Sequence, residues 1–193
     1  MRKLLVNALR FAIPVLVACT APTQTHADSP SAAAPTELRD GQHDFDFMLG
    51  TFNIKIRRLR HPLHGSNDWY EMTGTTTARS ILNGSGNIEE GVLDGPDGRL
   101  NAVMVRLYSP KSREWSLNWT VEGRGRFDVP TVGAFKDGRG EFYDQEAFEG
   151  RTILVRYVWS DTTTSTPHFE QSFSADGGKT WELNWASWST RVR

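Results

Sequence analysis

Phe169-Glu-Gln-Ser-Phe-Ser-Ala-Asp-Gly-Gly-Lys-Thr-Trp-Glu-Leu-Asn-Trp185 is the stretch that decides the fold. Phe169, Gln171 and Phe173 alternate with Glu170 and Ser172, which is the two-residue period of a strand. Ala175-Asp-Gly-Gly-Lys179 supplies residues that tolerate positive φ in a tight turn. Trp181, Leu183 and Trp185 resume the alternation, so the stretch predicts a β-hairpin with an aromatic face. Tyr108-Ser-Pro-Lys-Ser-Arg-Glu-Trp-Ser-Leu-Asn-Trp119 repeats the scheme, again ending in Trp-x-Leu-Asn-Trp.

Working outward, the same punctuation recurs. Ile153, Val155, Tyr157 and Trp159 are in phase along residues 151–160, and Lys136-Asp-Gly-Arg-Gly140 separates two short β-rich runs. Leu100–Tyr108, Ile88–Asp94, Trp69–Leu82 and the alternating Phe52, Ile54 and Ile56 add further strands, divided by turns at Asp94–Gly98 and Asn83–Asn87. Gly123–Pro130 marks a longer crossing. Phe45, Phe47 and Leu49 fit either an extended lead-in or one short helical turn before Gly50. The count is about ten strands, which predicts an all-β fold, a closed antiparallel barrel or a sandwich. Simple hairpins in series favour an up-and-down barrel, which leaves no aromatic edge strand exposed. A barrel of this size has room for one small ligand.

The first segment reads differently. Arg2, Lys3 and Arg10 precede the short apolar run Phe11–Ala18, the pattern of a secretory signal. Leu16-Val-Ala-Cys19 fits a bacterial lipobox, which predicts cleavage before Cys19 and a lipid anchor on that cysteine. Ordinary cleavage after Thr25-His-Ala27 also fits. The expected layout is a signal peptide at 1–18, a flexible Ala/Pro/Thr/Ser tether at 19–41 and a barrel domain at 42–193. Removing 1–18 leaves 19 basic against 23 acidic side chains. That balance argues against nucleic acid, which selects a clustered basic face. The expected location is the periplasm or cell envelope, with the lipid as the sole membrane contact.

Phe45-Asp-Phe47…Gly50-x-Phe52, taken with the Phe169–Trp185 stretch, resembles an uncharacterised family of bacterial lipocalin-like proteins. Leu82–Asn87, Gly140-Glu-Phe-Tyr143, Phe148-Glu-Gly-Arg151 and Val158-Trp-Ser160 resemble it too, so the likeness spans nearly all of 43–190. It implies a calycin-type barrel and transfers no catalytic residue. Ser174-x-Asp176-x-Gly178-x-Thr180-Trp181 is also similar to the Asp-box hairpin, a structural turn.

Candidate chemistry is sparse. Nucleophile elbows, phosphate-cradling loops and cofactor motifs are absent, and no cofactor is expected. His61, His64 and Asp68 sit in a polar loop, and His168 opens a strand opposite in phase to Phe169; solvated histidines are the reading favoured over a metal or haem. Glu89 and Glu90 are adjacent on a strand and face opposite ways, so they cannot act as a glycosidase pair. Glu90 shares its phase with Ile88 and Val92, which makes it the expected inward carboxylate. Asp144, Glu146 and Glu149 read as a solvated acidic edge. Arg58 and Arg106 lie in phase with apolar positions and either cap the barrel mouth or enter the cavity. The phase of Arg106 is ambiguous, because Val103, Val105 and Leu107 are apolar as well.

Together these residues predict a barrel that holds a small apolar or amphipathic molecule. Trp119, Tyr157 and Trp159 would supply contact, while Arg58, Glu90 and Arg106 would orient a polar group. The alternatives are a cofactor-free isomerase, cyclase or lyase using Glu90 as acid/base, and a filled barrel serving as a scaffold.

Overall fold

The computed structural model describes residues 39–192. The signal segment, Cys19 and most of the expected tether lie outside the described residues. Ten strands follow one another: β1 (Gly50–Leu59), β2 (Trp69–Ile81), β3 (Gly86–Gly95), β4 (Gly98–Ser109), β5 (Glu114–Val121), β6 (Thr131–Lys136), β7 (Arg139–Phe148), β8 (Arg151–Ser160), β9 (His168–Ser174) and β10 (Glu182–Arg191). Each pairs antiparallel with its sequence neighbour, and β1 closes on β10. The fold is a closed, ten-stranded, up-and-down β-barrel.

One end is plugged. The lead-in is a 3-10 turn, Asp46–Met48, that buries Phe45 and Met48 beneath the sheet. Phe45 packs edge-on against Trp115 at 5.1 Å and Phe135 at 4.9 Å, and forms a core with Met104, Tyr108, Phe142 and Trp159. The backbone of Gly41 anchors the plug: its N–H donates to Tyr108 Oη at 3.0 Å, and its carbonyl accepts from Trp115 Nε1 at 2.9 Å. Arg191 at the end of β10 donates to the carbonyls of Phe47 and Leu49, tying the two ends of the domain together.

Two departures from regular pairing shape the wall. In β10 the register shifts between Leu183 and Trp185, a bulge that turns Trp185 inward opposite Gln171. Trp181 instead packs with outward-facing neighbours, under the Arg156 guanidinium at 4.5 Å and against Tyr143 at 6.1 Å. The expectation of one continuous aromatic face is corrected there. The first Trp-x-Leu-Asn-Trp copy has no bulge, and Trp115, Leu117 and Trp119 all pair with inward positions of β4.

The second departure is a gap. β5 pairs with β6 only through Trp115, Ser116 and Leu117, and β6 pairs with β7 only as far as Tyr143. Pro130, directly before β6, has no N–H to extend the ladder. The rest of β5 is flanked by the loop 122–130, whose Asp128 N–H donates to Trp119 O at 2.9 Å. The second half of β7, from Asp144 on, has no strand on that side among the described residues.

Candidate binding cavity

The barrel interior encloses a cavity of about 690 Å³, open in part to the surface. Its walls are inward positions of the strands, and its open side includes Phe127 and Val129 of the 122–130 loop, both about half exposed. Aromatic side chains supply much of the lining: Trp119 meets Trp185 edge-on at 6.3 Å, and Tyr157 meets Phe169 edge-on at 5.1 Å.

Of the residues expected from the sequence, Arg58, Arg106, Trp119, Tyr157 and Trp159 all line this cavity. Arg58 stays exposed near the barrel rim, its guanidinium 5.0 Å from the Trp185 ring centre. Arg106 is 1% exposed and forms the floor, 5.0 Å from the Phe45 ring centre and 5.5 Å from that of Trp159. Its Nη1 donates to Asn87 Oδ1 at 2.9 Å and its Nη2 to Glu89 Oε2 at 2.6 Å.

Glu90 is the correction. It is exposed on the outer face, and Glu89 takes the inward place. The inner phase of β3 is Asn87, Glu89, Gly91 and Leu93, because Glu89 pairs with Met104 and Gly91 with Ala102, both inward on β4. Polar and small residues fill the inner face where Arg106 requires partners, and Val92 is left outside at 44% exposure. Apolar periodicity alone selected the wrong face.

A second acidic pair went unrecognised in the sequence. Asp144 and Glu146, taken for a solvated edge, face inward on β7 and line the cavity beside the gap. Asp144 pairs across to Val155 and Glu146 to Ile153, both buried in the core. Burial, with Glu146 and Asp128 close by, pushes the Asp144 carboxyl up to about 7. Burial and Asp128 raise Glu146 as well, and Arg124 opposes them. Tyr157 is pushed up by burial and by the same carboxylates. The alternation Phe142, Asp144, Glu146, Phe148 was the available signal, because two aromatics share that phase. Glu149, by contrast, lies in the exposed β7–β8 turn, where its carboxylate oxygen accepts from His64 Nε2 at 2.7 Å.

The described histidines, His43, His61, His64 and His168, are not among the cavity's lining residues. His168 stacks on Trp188 at 5.0 Å on the outer side. Among the described residues no three His, Cys, Asp or Glu side chains converge as metal ligands would.

Four cavity-lining side chains carry a buried polar atom that has no partner among the described residues: Arg106 Nε, Thr76 Oγ1, Trp159 Nε1 and Asp144 Oδ1. Buried polar atoms are normally satisfied, so these four are gaps in the hydrogen bonding of the cavity wall. No protein-family model matches this chain, and neither does any curated protein.

Proposed function

We propose that this protein is a small-molecule-binding barrel of the bacterial envelope, carrying an apolar or amphipathic ligand in its interior. The observation that carries the reading is the partly enclosed cavity of about 690 Å³, walled by aromatics and holding unpartnered polar atoms. Its size falls in the range of roughly 300–1,000 Å³ usual for ligand sites. An interior with this much space argues against the filled scaffold. The signal segment and Cys19 support export and lipid anchoring, and the resemblance to lipocalin-like proteins supports ligand carriage.

Asp144 favours a second reading, catalysis without a cofactor. A carboxyl held near 7 in a partly closed cavity suits a general acid/base. Glu90 cannot take that part, because it faces solvent.

Native mass spectrometry of the full-length protein, released from its own host's envelope in mild detergent, tests carriage. A reproducible bound small molecule is the expected result. Protein that is bare on isolation, and still bare after incubation with envelope extract, would count against it.

A further inference from the structure

The charges lining the cavity are not all matched. Arg106 is paired with Glu89, and Arg124 with Asp128. Arg58 stacks on Trp185, and Arg126 is exposed on the loop. Asp144 and Glu146 remain, with no ion pair to either among the described residues. They sit two positions apart on one strand face, roughly 7 Å along the chain. The Oδ1 atom of Asp144 is itself buried without a hydrogen-bond partner. Independently of these acids, the unpartnered Arg106 Nε, Thr76 Oγ1 and Trp159 Nε1 mark the same cavity as a place built to receive a ligand.

We infer that the ligand is an organic amine: a protonated nitrogen held by Asp144 and Glu146, on an apolar or aromatic body that fills the cavity. This rests on the ligand-binding reading above and assigns its chemical class. An ammonium group carries three donors and one positive charge, which suits two carboxylates better than any neutral polar group does. Trp119 on β5 and Tyr157 on β8 line the same cavity, and aromatic rings of this kind attract a cation. A divalent metal ion is a poorer match, since calcium takes six to eight oxygen ligands. The unpartnered Arg106 and Trp159 N–H groups, which are donors only, suit an acceptor elsewhere on the ligand's body.

The test is a calorimetric comparison of three probes that share one body: 4-phenylbutylamine, 4-phenylbutanol and 4-phenylbutyrate, each titrated into the full-length protein. The amine is expected to bind about tenfold tighter than the alcohol, with the carboxylate weakest. In Asp144→Asn/Glu146→Gln the amine's advantage over the alcohol should vanish, whereas the outward control Glu90→Gln should keep it. If the double variant fails to fold, the wild-type protein still decides. Asp144 faces Glu146 on its own strand, Asp128 on the loop and Tyr157 on β8, with Arg124 of the loop acting on Glu146 and Tyr157, and its carboxyl gains a proton as pH falls through about 7. The amine's advantage should therefore shrink from about pH 8 to about pH 5, while the amine itself stays protonated. An alcohol or carboxylate that binds as tightly as the amine overturns the amine assignment and leaves ligand binding standing. If none of the three binds at millimolar concentration, both the assignment and the carriage reading fall.

Discussion

Arg106 and Glu89 meet at 2.6 Å on the floor of the barrel, from adjacent strands and almost wholly removed from water. Asn87 completes the set, and Phe45 lies 5.0 Å from the guanidinium as part of the plug. The pair thus joins the plugged end to the cavity, and each partner leaves the other stranded if removed.

Arg106→Met should cost about 3–5 kcal/mol in urea unfolding, the usual penalty for leaving one buried charge unpaired. Adding Glu89→Gln should recover part of that loss. Glu90→Gln, on the outer face, should stay within about 0.5 kcal/mol of the parent. Equal effects at Glu89 and Glu90 would contradict the inner phase assigned to β3.

Asp144 makes stability depend on pH in a definite direction. Its folded value, about 7, lies above the ordinary carboxylate value, so the folded protein holds a proton that the unfolded chain has released. Stability from this group is complete below about pH 4 and declines as pH rises to about 7. Glu146 shifts the same way and adds to the slope. Asp144→Asn should flatten that part of the stability–pH curve, measured by thermal unfolding across the range.

Gly133 is required by close approach. A methyl group there would sit 1.9 Å from the carbonyl oxygen of Glu141, a backbone atom that cannot swing aside. Gly133→Ala should cost about 1–3 kcal/mol and loosen the short β6 beside the gap. Gly125→Ala meets open space but carries a φ of +69°, so it should cost only about 1–2 kcal/mol.

The β9–β10 turn depends on Asp176. Its Oδ1 accepts from the backbone N–H groups of Lys179 and Thr180 and from Ser174 Oγ, while its Oδ2 accepts from Thr180 Oγ1. These donors hold the carboxyl well below the ordinary range. Asp176→Ala should lower the melting temperature more than Asp176→Asn, which keeps one acceptor oxygen. Equal melting temperatures for the two variants would mean the acceptor bonds do not secure the turn.

Strand number, hairpin order and the aromatic wall were open to a reading of the sequence, because period-two alternation and turn residues are local. Arg106 was found for the same reason, although its strand is apolar on both phases. Glu89 was missed because Ile88 and Val92 gave the outer face an apolar period. Asp144 and Glu146 were missed because acidic residues near a turn usually face water. They face inward here because β7 continues its alternation past the end of β6.

The sequence by itself determined a chain of antiparallel hairpins, since each strand and turn is encoded within a few residues of itself. Only the tertiary structure decided which face of each strand lines the cavity. Closing ten strands into a ring makes the inward phase a property of every neighbour's register together. The Trp-x-Leu-Asn-Trp copies show this most plainly. Residues 115–119 run without a break, residues 181–185 pass through a bulge, and only the register with β4 and with β9 distinguishes them.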